Sequence, residues 1–218
     1  MKSSRQESVR REIIASFKGK FEFSLSRDDM MCLKPREWIS NNIVDWICHT
    51  SNVGTSKRFK ERFYCVPTGI LEIIINTKNV GMYIRQHIEV GIGPHFGSNK
   101  RFFDKKEAAK KEWWFVPTCN RGHWYLYALH IPTKNLFDLD SMHNEPFDDL
   151  RKIIYEYASK IIKEMLKIAL PRSDFEGYGK SCQYITVPKQ PNNNGCGLFV
   201  ILFMQEWNGG SLLKDYDN

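Results

Sequence analysis

The chain has 218 residues, with 32 Lys+Arg against 25 Asp+Glu for a formal net charge of +7, and 42% of it is hydrophobic. That apolar share excludes a disordered protein, and the longest clean apolar run, Leu198 to Met204, is far short of the roughly 20 residues of a membrane span. The N-terminus MKSSRQESVRRE lacks the apolar region of a signal peptide. Six cysteines, at 32, 48, 65, 119, 182 and 196, form no CxxC pair, which favours reduced thiols in an intracellular protein.

Residues 1–21 read as a basic arm with a short helix around Arg10 to Phe17, leaving 22–218 as one domain. Pro35 followed by REWISNNIVDWICH reads as a helix opened by proline near its first turn, with Ile39, Ile43, Trp46 and Ile47 at helical spacing. RFYCVP (62–67) is a short strand, and TGILEIIINTK (68–78) fits a buried helix or a strand equally. WWFVPTC (113–119) and WYLYALHI (124–131) are strands; PTKN (132–135) is a turn, and NLFDLDS (135–141) returns as the hairpin partner. From Glu145 to Leu170, residues Leu150, Ile153, Ile154, Tyr157, Ile161, Met165 and Ile168 share one helical face, and Pro171 closes that helix. CQYITVP (182–188) is a strand, QPNNNG (190–195) a turn, and CGLFVILFMQEW (196–207) a buried helix. The order of elements predicts a single mixed α+β domain.

Cys196 sits where a Pro/Asn/Gly loop runs into an apolar helix, and a helix N-terminus favours a thiolate. Gly195 and Gly197 flank it and leave room for the backbone to bend and for a substrate to come close. Taken alone, Cys196 reads more readily as one more buried cysteine. A nucleophilic thiol needs a base and the base an orienting group; His123 at the head of the aromatic strand and Asp140 at the end of its hairpin partner have the right chemistry. Each also fits a structural role, as a strand-end histidine and a turn aspartate. With PTKN as the loop, a flat hairpin places Asp140 near Tyr127, leaving His123 about 13 Å away at strand rise, so a bulge, strong twist or curled strand end is needed for contact. Gln190, six residues before the cysteine, has an amide able to donate to an oxyanion, although a lone loop glutamine is ordinarily just solvated.

The order His, Asp, Gln, Cys resembles the ubiquitin-like-protein-specific cysteine proteases, the SUMO/sentrin-specific protease family, over roughly residues 25–207. In that family His-Trp opens one strand, Asp-Ser ends the next, and Gln precedes Cys-Gly by six; here these are His123-Trp124, Asp140-Ser141, and Gln190 with Cys196-Gly197. The segments FVPTCNRGHW (115–124) and LKPREWISNNIVDW (33–46) also look like the family's. The resemblance implies a papain-like cysteine protease domain of the adenain/SUMO-protease type, a mixed sheet flanked by helices. It implies cleavage after the C-terminal Gly-Gly of a SUMO-like modifier, with Cys196, His123, Asp140 and Gln190 as catalytic groups. Trp38 and Trp124 would form the flat walls of the diglycine channel; core packing is the competing role for both. No metal or cofactor is implied. The implied partners are a SUMO-like modifier and its conjugates, acted on by a monomeric enzyme in the nucleus or cytoplasm.

Three departures stand out against the family pattern. Trp-Leu-Asn-Asp is Trp38-Ile39-Ser40-Asn41 here, Asp-Cys-Gly is Gly195-Cys196-Gly197, and relatives continue through further C-terminal helical structure, which implies a domain shortened at its C-terminus. A relative that binds a ubiquitin-like modifier without turnover is therefore the alternative. Nucleic-acid binding through the lysine-rich segments has no motif behind it, nothing suggests a membrane partner, and a zinc site from Cys119, His123, His130 and Cys182 lacks a matching second ligand pair.

Overall fold

The computed structural model describes residues 9, 11–17, 23–68, 103–143, 149–178 and 181–214. The segment 68–78, apart from Thr68, and the start of the long helix at Glu145 lie outside the described residues, as do the side chains of Leu150, Ile153, Ile154 and Tyr157.

Strands β1 (Ile13–Phe17) and β2 (Phe23–Ser26) form an antiparallel pair, so the helix expected around Arg10 to Phe17 is a strand. IIASF reads as apolar residues without a stable helical face, and the chain returns through FSLS to pair with it. Ser26 and Asp29 then close a capping box on the short helix α1 (Arg27–Met30), satisfying orphan N–H groups at its start.

Helix α2 (Asn41–Val53) begins at Ser40, whose hydroxyl accepts the Ile43 N–H. The helix expected from Pro35 therefore starts six residues later. Arg36 adopts a left-handed φ of 69°, which breaks any helix running through it, and leaves Trp38 and Ile39 in an extended lead-in. Helix α3 (Lys57–Glu61) and strand β3 (Phe63–Cys65) follow, then the short helix α4 (Lys105–Ala108).

Strand β4 (Trp113–Asn120) runs parallel to β3, and β5 (His123–His130) returns antiparallel to it. Their connection is the two-residue turn Arg121-Gly122, with φ of 48° and 80°, the sign that a tight hairpin needs at both positions. Strand β6 (Asn135–Leu139) pairs antiparallel with β5, and β7 (Cys182–Ile185) pairs parallel with β6. The sheet order is β3-β4-β5-β6-β7.

Alternation along β5 sends its side chains to two different cores. Tyr125, Tyr127 and Leu129 pack with Ile161, Met165 and Ile168 of α5 (Asp149–Ala169). Trp124, Leu126 and Ala128 pack with Cys196, Val200, Phe203 and Met204 of α6 (Cys196–Glu206), and with Ile43, Val44 and Cys48 of α2. The sheet is thus sandwiched, one helix layer on each face, which is the expected α+β arrangement. Helix α6 is tied at its C-terminal end by Arg58, which donates to the carbonyls of Met204 (3.1 Å) and Trp207 and lies 3.8 Å over the Phe63 ring. All six cysteines are free.

Candidate active site

His123 is the first residue of β5, emerging directly from the Arg121-Gly122 turn. Its Nε2 lies 2.8 Å from Asp140 Oδ1. No bulge brings the two together. The hairpin loop is Ile131–Lys134, not PTKN, with Lys134 at a left-handed φ of 63° closing it, and Leu126 pairs with Leu139. Continued one step, this register sets Asp140 across from Tyr125 rather than Tyr127. His123 is then a diagonal neighbour on the same face, and diagonal pairs are within reach of long side chains.

Asp140 is 2% exposed. Its Oδ1 also accepts the N–H groups of Met142 (2.7 Å) and His143 (3.1 Å), and bonds of this kind hold a carboxylate ionised. The His143 ring stands edge-on to His123, with centroids 5.4 Å apart.

Cys196 opens α6, and no side chain caps that helix, so its first N–H groups remain available to a negative charge. The sulfur lies 3.9 Å from the Gly122 carbonyl oxygen. Burial works against a thiolate here, but the nearby His123 imidazole and the backbone N–H groups of Trp124 and Gly197 outweigh it and lower the thiol below its ordinary range. Burial likewise disfavours the imidazolium; the hydrogen bond with Asp140 and the nearby Cys196 thiol overcome it and push His123 up to about 9. Each group favours the other's charged form, which is the direction that a thiolate–imidazolium pair requires.

Gln190 is held by two bonds to Ser141: its N–H donates to the Ser141 carbonyl (3.0 Å), and the Ser141 hydroxyl donates to its Oε1 (2.7 Å). Its Nε2 donates to the Asn192 carbonyl at 2.6 Å. Gln190 also flanks the residue before the thiol, since a Cβ built on Gly195 would stand 3.7 Å from Gln190 Cβ.

The two tryptophans differ. Trp38 is 49% exposed, with its ring over Gly122, where an added Cβ would lie 3.8 Å away. Trp124 is 2% exposed and donates its indole N–H to the Ile39 carbonyl at 3.1 Å, anchoring the segment that carries Trp38. Gly197 serves packing, not substrate access: a Cβ there would fall 2.5 Å from Ile39 Cβ.

The zinc set drawn from Cys119, His123, His130 and Cys182 does not assemble. Cys119 and His123 sit at one end of the β4–β5 hairpin, and His130, bonded to Thr133, at the other. Among the described residues, the one grouping with metal-ligand spacing is His123, Asp140 and His143, and there His123 and Asp140 are already bonded to each other.

A thiol at a helix N-terminus, facing an imidazole carried on the end of a mixed sheet, defines the papain-like α+β cysteine protease fold. The model of the Ulp1 protease family, C-terminal catalytic domain, matches residues 82–208, more than half of the chain, and the chain belongs to that family. The SUMO protease Ulp1 with its catalytic cysteine oxidised to a sulfenic acid is 16% identical over 98% of this chain and 85% of its own, with a TM-score of 0.67. The C-terminal Ulp1 protease domain in complex with Smt3, the yeast orthologue of SUMO, is 15% identical over 98% of this chain and 86% of its own, with a TM-score of 0.66. A de-sumoylating protease gives 16% identity, coverage of 89% and 73%, and a TM-score of 0.59. A comparison with curated proteins found no match.

Proposed function

We propose that the chain is an active cysteine protease that cleaves after the C-terminal Gly-Gly of a SUMO-like modifier, releasing it from a target lysine or from a precursor. The observation that carries this reading is the bond between His123 Nε2 and Asp140 Oδ1 at 2.8 Å, with the thiol of Cys196 lowered by the same imidazole. Family membership supports the reaction class, and the complex of a similar domain with Smt3 supports the substrate class.

In this mechanism the Cys196 thiolate attacks the carbonyl carbon of the terminal glycine. The developing oxyanion takes hydrogen bonds from the Cys196 N–H and from Gln190 Nε2, which carries two N–H groups, one of them given to Asn192. The imidazolium of His123 protonates the leaving amine as the C–N bond breaks, leaving a thioester. Neutral His123 then takes a proton from water, whose attack frees the glycine carboxylate and the thiolate. Asp140 keeps the ring oriented throughout. Trp38, exposed over Gly122, walls the approach so that only residues without side chains pass beside the thiol.

The test is a SUMO-like modifier ending in an electrophile after Gly-Gly. Covalent labelling that is lost in Cys196→Ser supports the protease. Saturable binding without labelling would instead make the chain a modifier-binding relative without turnover.

A further inference from the structure

The mechanism leaves one half-buried ammonium beside the site unused. Lys189 precedes Gln190, and its Nζ donates to the carbonyls of Asp140 (3.0 Å) and His143 (3.1 Å). These carbonyls bracket the turn whose N–H groups, from Met142 and His143, hold Asp140 Oδ1. Lys189 therefore spans both ends of the loop that fixes the carboxylate, and it grips main chain, not the carboxylate itself. On the next residue, Gln190 is bonded twice to Ser141 inside the same loop. Segment 189–190 and loop 140–143 thus form one hydrogen-bonded unit containing both the group that orients the base and the group assigned to the oxyanion.

We infer that Lys189 is a positioning residue, whose two bonds to the 140–143 loop hold Asp140 on His123 and couple that contact to the placement of Gln190. The inference rests on the proposed protease reading for its kinetic consequence, but not for its structural one.

The charged and titratable groups facing His123 are Asp140, Cys196 and His143; those facing Lys189 are Asp140 and Asp138. This makes the direction of change informative. Removing a positive charge from this neighbourhood without disturbing the loop would raise the His123 pKa, because a nearby cation disfavours the imidazolium. Loosening Asp140 would lower it, because the carboxylate is what sustains the imidazolium.

The experiment is an NMR titration of the His123 imidazole in the full chain and in Lys189→Met, Lys189→Gln and Lys189→Arg, with thermal midpoints measured alongside. A fall in the His123 pKa in the methionine and glutamine variants, reversed in the arginine variant that can still donate to two carbonyls, supports the inference. A rise or no change in folded protein overturns it, and so does unfolding of both the methionine and glutamine variants, which would make Lys189 a residue of the fold. Where the modifier probe labels Cys196, Lys189→Met should also lower kcat about tenfold to a hundredfold, the scale of a small misplacement of a reacting group, with KM changed less than about twofold. The titration needs no turnover, so it stands even if the protease reading fails.

Discussion

The two halves of the site are held in place by different forces. The thiol half is held by packing: Cys196, Val200, Phe203 and Met204 expose none of their surface, Gly197 is pressed against Ile39, and along α6 just Leu198 and Gln205 are exposed. The imidazole half is held by directed bonds, from Met142, His143 and His123 onto Asp140, and from Lys189 and Ser141 onto the surrounding chain. Packing fixes where a helix lies but is indifferent to the rotation of a small end group. Hydrogen bonds fix the angle of a ring but supply little net stability, about 1 kcal/mol each. The half that must aim a lone pair is built from the second, and the half that need only present a sulfur is built from the first.

Changing each half separately should break different properties. The largest effect is expected for Asp140→Asn, which keeps an acceptor but removes the charge sustaining the imidazolium. Activity toward a Gly-Gly substrate should fall about 10²- to 10⁴-fold, the range of general acid–base catalysis, with the thermal midpoint little changed. The pH profile carries the sign. On the proposed protease reading, activity in the parent protein should rise as Cys196 ionises, below the ordinary thiol range, and fall as His123 loses its proton near pH 9. With Asp140 neutralised, His123 gives up its proton more readily, so the alkaline limb should move to lower pH.

Gly197→Ala tests the packed half. Alanine would gain about 1 kcal/mol in helix propensity, but a Cβ 2.5 Å from Ile39 Cβ cannot be relieved by turning a flexible side chain. Overpacking, about 1–3 kcal/mol, should win, and chemical denaturation should show a net loss of stability. A gain would mean that Ile39 yields easily and that packing does not set this half. Trp124→Phe is the mildest change, losing the bond to the Ile39 carbonyl while keeping an aromatic ring in the core. It should cost about 1 kcal/mol and raise KM for a Gly-Gly substrate more than it lowers kcat, as expected if the indole steadies the Trp38 segment. An equal effect on both would place Trp124 nearer the reaction itself.

The fold class was readable because α5 has a clear helical periodicity, β5 and α6 are continuous apolar runs, and the turns around them carry proline, glycine and asparagine. The family was readable because His123, Asp140, Gln190 and Cys196 kept their spacing. The contact between His123 and Asp140 was not readable from turn chemistry, since it depends on a loop closed by Lys134 in a left-handed conformation, where glycine or asparagine would have been the visible sign. Pro35 offered a plausible helix start, yet Ser40 made the cap and Arg36 broke the turn between them. The role of Lys189 has no sequence signature, because it acts on backbone carbonyls whose position only the folded chain defines. Trp124 shows the same limit: its side chain belongs to the core by burial and to the site by a single bond.

The assignment of the two faces of β5 has a consequence for biosynthesis. His123 projects on the face of Tyr125 and Tyr127, whereas Cys196 packs on the face of Trp124 and Leu126. The sheet stands between those faces everywhere except at its end, where β5 begins. The strands bearing His123 and Asp140 precede α6 in the chain, and synthesis delivers them first. Until α6 docks across the end of the sheet, Cys196 lacks the imidazole and the Trp124 N–H that lower its pKa. The nascent chain therefore acquires the surroundings that lower the Cys196 thiol only with the docking of the helix that carries it.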